Sequence, residues 1–419
     1  MFVVMLCLIV ALPLFGFAKK DETYLTIHFN VDGIAKQIAI TDKLIQPSWW
    51  DVESKNKFTN NKTLQQRAKD CLNETDDVIT MKKKFPEIYR IVKNIESQIH
   101  KEKCDGKVQF NPDAEKKFWV TDQIIGKKLD TQRLCEDIFV ALSSGRYADI
   151  YTRIADIKPA DEDDILNKIV ERSRFSTIFA DNAPRESNIA RALAAFDGLV
   201  IEPSAIVSFN KTTGPRTAAR GYQEANIILE GEFVPGIGGG VCQASTTLFN
   251  AVLLSGLKIV ESHSHSLAIS YVPLGRDAMV SSRADLKFKN TTDETIFIET
   301  QVIDNGPKNT ALIKIYGARP NTRYQPRVEI ETHNIIEEIN GEIPVQMSGY
   351  DHENREFWSY EKKTIESGYP TKEAVTYLDE YKNGELVNSI KIRKSKYKGK
   401  ERVVEFKKKV HQENYAWTV

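Results

Sequence analysis

The chain has 419 residues, 41% apolar and 28% charged, with lysine plus arginine equal to aspartate plus glutamate at 58 each. That length suits two or three domains, and the apolar share is that of folded protein. A balanced charge argues against a nucleic-acid partner, and no groove-reading motif appears.

The first eighteen residues, MFVVMLCLIVALPLFGFA, are nearly all apolar, include Cys7 and lead into KKDE. Such a run lies between a signal-peptide core and a short membrane span. Gly16 and Ala18 form a small-x-small end, so export is expected. Cleavage after Ala18 and retention as a membrane anchor both fit. The four later cysteines, Cys71, Cys104, Cys135 and Cys242, are too few and too irregular for a disulfide scaffold or structural zinc. A Cys71–Cys104 pair stays open.

Residues 23–160 read as one α+β domain. TYLTIHFNVDG alternates as a strand that ends in a turn. Pro86 opens a helix with Ile88, Val92, Ile95 and Ile99 at helical spacing. KKFWVTDQIIGKKLD is strand and turn, and TQRLCEDIFVALSSG is a helix with Leu134, Ile138 and Leu142 on one face, stopped at Gly145. DEDDILNKIVERSR is expected to be a helix with its acids at the N-terminal end, where the dipole favours them.

Over residues 172–305 glycine becomes frequent and charge runs thin out, which predicts a mixed α/β domain. SNIARALAAFDG predicts a helix capped by Ser187 and stopped by Gly198. LVIEPSAIVSFN, NIILEGEFVPG, HSLAISYVP and DLKFKNTTDETIFIETQV predict strands. Between them, Leu248, Phe249, Val252 and Leu253 mark an apolar helix after Cys242 that ends at Gly256. Residues 325–410 predict a β-rich module, its last part a meander whose first hairpin turns at Asn383-Gly384. The whole chain is therefore expected to be α+β and multi-domain. Residues 391–410 carry ten Lys/Arg against Glu401 and Glu405. Attraction to an anionic wall polymer or lipid surface is one reading, and a lysine-protected edge strand is the simpler one.

RFSTIF, VSFNKTTGPRTAARGYQEANII, GIGGGVCQASTTLFNA and HSHSLAISYVPLGRDAMV, in that order, resemble the VanW family. The preceding domain resembles the YoaR-type peptidoglycan-binding domain, and the tail resembles a five-glycine wall-binding module in which glycines are sparse. The resemblance implies an extracytoplasmic protein of the cell envelope, with peptidoglycan or another wall polymer as partner. It implies a neighbourhood linked to glycopeptide resistance but no reaction.

The residues themselves suggest one. Gly238, Gly239 and Gly240 permit a sharp turn before Cys242 and close approach of a substrate chain. Cys242 would then sit in the first turn of a helix, where the dipole and a nearby imidazolium favour thiolate. His263 and His265, two apart on an expected strand, share a face, and Asp277 follows twelve residues beyond His265. Cys242 as nucleophile, His265 as base (His263 the alternative) and Asp277 as orienter would form an acyl-transfer or amidase centre. That order resembles papain-like and transglutaminase-like enzymes, with shorter spacings. Gln243 is a candidate oxyanion contributor, Arg216 and Arg220 a candidate carboxylate grip, and Tyr271, Tyr222, Gln223 and Glu224 candidate lining.

A competing reading makes Cys242 a buried apolar residue and the histidines, beside Leu267 and Ile269, part of a core. Arg276-Asp277 would then be a salt-bridged turn, and the protein a wall-binding adaptor or an assembly partner. No P-loop, dinucleotide fingerprint, GxSxG elbow or HExxH motif appears, so neither cofactor nor metal is expected. The run Asp161–Asp164 reads as a solvated helix start.

Overall fold

The computed structural model describes residues 23–41, 44, 61–73, 76–145, 147–229, 232–354 and 356–412. The apolar run expected to direct export lies outside the described residues. Among those described, no helix is long and apolar enough to cross a membrane.

The chain divides into two units, one of residues 1–107 and 120–161 and one of residues 108–119 and 162–419. In the first, the expected strand β1 (Thr23–Val31) ends in its turn at Asp32-Gly33, both with positive φ, and pairs as a hairpin with β2 (Ile34–Thr41). Helices α1 (Asn61–Cys71), α2 (Asp77–Lys84) and α3 (Pro86–Ile99) follow, and α3 buries Ile88, Val92, Ile95 and Ile99 as their spacing requires. The paired strands β3 (Lys107–Phe110) and β4 (Phe118–Thr121) fall mostly in residues 108–119 of the second unit, and the chain returns through β5 (Gly126–Leu129) to α4 (Thr131–Ser144), which Gly145 ends in the left-handed conformation. Strand β6 (Ala148–Tyr151) then pairs parallel to β1, and β7 (Ile154–Ile157) pairs with β5. The core joins Leu25, Ile27 and Ile40 to the apolar faces of α3 and α4. Cys71 is buried in it while Cys104 is an exposed thiol, so the two do not pair.

The second unit resumes with α5 (Glu162–Leu166), only five residues long. The helix expected through residue 174 gives way to strand β8 (Ile169–Ala180), because Ile169, Val170, Phe175 and Ile178 join a sheet instead. Helix α6 (Ala183–Ala194) is capped by Asn182, whose side chain accepts from the Arg185 N–H. Pro184 takes the first turn, so Ser187 lies inside the helix and is not its cap. Next come β9 (Leu199–Ile201), β10 (Ile206–Ser208), the short α7 (Phe209–Thr213), and the hairpin of β11 (Glu224–Leu229) with β12 (Glu232–Ile237).

Helix α8 (Val241–Ser255) is the centre of this unit and is buried almost all round. Its buried polar residues, among them Gln243, Thr246, Thr247 and Asn250, are hydrogen-bonded within the unit, and α8 packs against β8 and β16 (Lys308–Ala318). Strands β13 (Lys258–Glu261) and β14 (Lys287–Lys289) pair with each other, and β14 pairs with β10. Strand β15 (Ile296–Ile303) completes a four-stranded sheet in the order β8-β16-β15-β9. The expected strand HSLAISYVP is irregular. Backbone and side-chain groups of this segment turn toward Asp277 and α8 in place of a strand partner.

Strands β17 (Arg323–Thr332), β18 (Glu337–Ile339), β19 (Ser348–Asp351), β20 (Glu356–Glu366), β21 (Lys372–Lys382), β22 (Glu385–Tyr397) and β23 (Arg402–Gln412) complete the chain. Hairpin β21–β22 turns at Asn383-Gly384, both with positive φ. The expected meander ends there: β22 is the edge of β17-β21-β22, whereas β23 crosses to the sheet β18-β23-β20-β19. The fold is α+β.

Candidate active site

The site is built around the start of α8. Gly238 and Gly240 have φ of +86° and +106°, conformations that strain any L side chain. A Cβ on Gly239 would lie 2.5 Å from the Ala225 carbonyl oxygen, so this glycine lets two backbones pack. All three glycines are buried, and their role is to start the helix rather than to offer an open face to a chain. Cys242 follows in the first turn, where helix geometry leaves N–H groups without intrahelical acceptors. It is half-buried, with Sγ 3.4 Å from the Val280 carbonyl oxygen.

The loop with Asp277 is stitched to α8 by small polar side chains. Thr246 Oγ1 accepts from the Ala278 N–H at 2.9 Å, and Asn250 Nδ2 donates to the Arg276 carbonyl at 2.8 Å. Asp277 is buried and accepts from the His265 backbone N–H at 2.6 Å, while its Oδ2 lies 2.8 Å from His265 Nδ1. The imidazole also lies close enough to the Cys242 thiol for each group to shift the other's pKa. The structure therefore brings Cys242, His265 and Asp277 together in one chain of contacts. Arg276 takes no part in it: its Nε donates to Asn250 Oδ1 at 2.7 Å and its guanidinium lies over Phe175, so no Arg276–Asp277 ion pair forms.

The charges agree with an ion pair. Burial lowers the His265 pKa, but Asp277 and then Cys242 outweigh it and raise the imidazole to about 9. Burial pushes the Cys242 thiol up, yet the His265 imidazole and the Arg216 guanidinium bring it below its ordinary value. Asp277 is held down against burial by His265, Tyr397 and Arg393. By contrast, burial drives Cys135, in the first unit, up to about 12.

The remaining candidates separate. His263 pairs with Glu261 at 3.0 Å, partly exposed, and is not the histidine on the thiol. The Gln243 side chain accepts from Arg185 at 2.8 Å and donates to Thr177 and Ile178, each at 3.1 Å, so its amide is engaged in packing. Tyr271 lies by the site: burial and then Cys242 push its phenol up, while Thr246 acts against that. Arg216 and Arg220 do not act as one grip. Arg216 turns inward to the Asn210 side chain and the neighbourhood of Cys242, while Arg220 is exposed and donates to the Thr213 carbonyl at 3.2 Å. Among the described residues, Glu331, His333 and Glu373 are spaced as metal ligands, but they are surface groups and Lys394 already holds Glu373 at 2.6 Å.

Two further residues of the site come from the far end of the chain. Tyr397 Oη donates to Asp277 Oδ1 at 2.6 Å and accepts from the Gly275 N–H at 2.6 Å. Arg393 donates to the Asp277 carbonyl at 2.6 Å and lies over the Phe249 ring. Both sit in the Lys-rich run, where Arg393, Ser395 and Tyr397 alternate with exposed Lys394 and Lys396. That alternation is the sequence signal for an inward face.

Residues 184–312 match the family model described as VanW like protein. An uncharacterized protein of Bacillus subtilis (strain 168), YoaR, is 36% identical over 181 residues, covering 42% of this chain and 60% of that protein. The vancomycin B-type resistance protein VanW of Enterococcus faecalis (strain ATCC 700802 / V583) is 29% identical over 127 residues, 29% of this chain and 46% of that protein. The chain thus spans less than two thirds of either relative's length. A solved structure, that of HP0197-G5, aligns with 20% of this chain and 97% of its own at 15% identity and a TM-score of 0.15. The matched residues 184–312 contain Cys242, His265 and Asp277.

Proposed function

We propose that this chain, whose centre is a VanW-like domain, is a cysteine-dependent amidase or acyltransferase acting on peptide of the cell wall. The observation that carries this reading is His265, fixed to Asp277 through Nδ1 at 2.8 Å and close enough to the Cys242 thiol for each to shift the other's protonation. In the proposed step the Cys242 thiolate attacks an amide carbonyl, and the C–S bond forms as the C–N bond breaks. His265 delivers its proton to the leaving amine. Water or a second amine then resolves the thioester, with His265 accepting the proton. The Cys242 N–H in the first turn of α8 is the natural donor to the oxyanion.

Placement at the envelope is supported by the apolar run at residues 1–18 and by the name of the Enterococcus relative, which ties that protein to vancomycin resistance. The burial of His265 and Asp277 favours a second reading, a wall-binding adaptor in which the three residues only hold α8 to its loop.

One experiment separates them: alkylation of the folded protein by iodoacetamide from pH 5 to 10, followed peptide by peptide. Exposed Cys104 and buried Cys135 are internal references. The enzyme reading expects Cys242 to react well below the ordinary thiol pKa of about 8.5, and His265→Ala to remove that low-pH reactivity. Cys242 reacting more slowly than Cys104 at every pH until unfolding would sink the nucleophile and leave the adaptor.

A further inference from the structure

Helix α6 and the loop after α7 enclose a cleft of about 600 Å³, away from the triad, lined by Ser187, Arg191, Thr212, Thr213, Arg220, Tyr222 and three alanines. No carboxylate lines it. Among the described residues neither Arg191 nor Arg220 has an acidic partner, although positive and negative side chains are equal in number over the chain. Both guanidinium groups are seated on loop glycines. A Cβ on Gly221 would stand 2.6 Å from an Arg191 nitrogen, and one on Gly214 would stand 2.9 Å from the centre of the Arg220 guanidinium. Both glycines have positive φ, +81° and +70°, so the loop conformation that makes this room also disfavours any other residue. Between the two lies Tyr222, almost wholly buried; burial pushes its phenol up while Arg216, Arg191 and Arg220 act against that. Two like charges held on one cleft repel each other, and an anion between them relieves the repulsion. Guanidinium groups pair in bidentate fashion with the planar oxygens of a carboxylate.

We propose that this cleft is an anion subsite that takes the terminal carboxylate of a peptide chain between Arg191 and Arg220, with the Ser187 and Thr212 hydroxyls completing its shell. The assignment goes beyond the reaction proposed above and is independent of it, because none of these residues belongs to the triad.

The test is calorimetric titration of the full chain with three probes at fixed salt: a short peptide with a free C-terminal carboxylate, the same peptide as its C-terminal amide, and inorganic phosphate. The free acid should bind at least ~10-fold more tightly than the amide, the size expected for losing one charge-assisted pair. Arg191→Gln and Arg220→Gln should each weaken the acid by a similar factor. Arg174→Gln, which breaks an exposed pair with Glu171 elsewhere, should not, and neither should Cys242→Ser. Should a glutamine variant melt early, Thr212→Asp takes its place, since a carboxylate at the cleft mouth must also repel the ligand. Phosphate binding more tightly than the peptide, and lost in the same variants, would keep the anion site and assign it to a phosphate-bearing ligand. Equal binding of acid and amide, with phosphate inert, would overturn the proposal. So would acid binding that survives in both arginine variants. Failure here with low-pH reactivity of Cys242 intact would leave the enzyme reading standing.

Discussion

His265 has Asp277 on one side and a thiol on the other, and its protonation therefore sets that of Cys242. The pH dependence of stability follows from the two shifts. Imidazole raised to about 9 contributes stability that is full below its unfolded value, about 6.5, and is lost as pH rises through 9. A lowered thiol does the opposite, contributing above its unfolded value of about 8.5 and losing that as pH falls. Between about pH 6.5 and 8.5 a folded thiolate–imidazolium pair and an unfolded thiol–imidazole pair bind equal numbers of protons. With the folded thiol ionised, the wild type should therefore show a flat contribution there, falling only between about pH 8.5 and 9, where the unfolded thiol has lost its proton and the folded imidazole has not. Cys242→Ala leaves His265 on Asp277 alone, so its stability should already decline from about pH 6.5 upward. Urea midpoints across pH 6 to 10 for both proteins test this, and parallel curves would mean that the thiol stays neutral. Cysteine, histidine and aspartate could be read in order from the sequence because helix-start glycines and spacing are local properties. The roles of Gln243 and Arg216 could not, since each depends on partners, such as Arg185 and Asn210, that a linear pattern does not display.

The strand that steadies Asp277 is β22, whose Tyr397 is 120 residues further along the chain. Local periodicity showed α3, α4 and α8 and the hairpin turn at Asn383-Gly384, because each needs only a few consecutive residues. It missed the irregular path of residues 262–280, where the strand-like alternation of HSLAISYVP is overridden by Asp277 and by the hydroxyls of α8. It also missed the switch of β23 to a second sheet, which is decided by pairing between distant strands. Tyr397→Phe removes one donor from Asp277 and one acceptor from the Gly275 N–H without changing volume. The cost should be about 1–3 kcal/mol in urea unfolding. With one donor fewer, Asp277 rises, His265 falls and the low-pH reactivity of Cys242 shrinks. If Tyr397 served only for packing, stability would drop while the alkylation profile kept its midpoint.

Charge is balanced over the whole molecule at 58 against 58, and most cations of the dense basic stretch near the C-terminus are paired with acids as well. Lys394 and Lys396 face Glu373, Lys400 faces Glu366, Arg402 faces Glu337, Lys407 faces Glu405, Lys409 faces Glu361, and Arg393 is turned in toward Asp277. Of the rest, Lys408 lies over the Trp358 ring, 5.2 Å from its centroid. Glu337, Glu361, Glu366 and Glu373 come from other strands of the β-rich region, so a count along residues 391–410 sees the cations and not most of their partners. Exposed pairs of this kind contribute little to stability, about 0–1 kcal/mol each. Their effect is on the field: a paired lysine attracts a distant polyanion far less than a free one, and at 0.15 M salt the remainder is screened within about 8 Å. The expectation is therefore no retention of the full chain on vesicles containing 30% anionic lipid at 0.15 M salt, measured by co-sedimentation. Glu361→Gln combined with Glu373→Gln, which frees Lys394, Lys396 and Lys409, should introduce salt-sensitive binding. Retention of the wild type that is abolished by Lys394→Gln with Lys396→Gln would show that the stretch is a surface-binding patch despite its partners. Wild-type binding that survives those changes would place the contact elsewhere on the molecule.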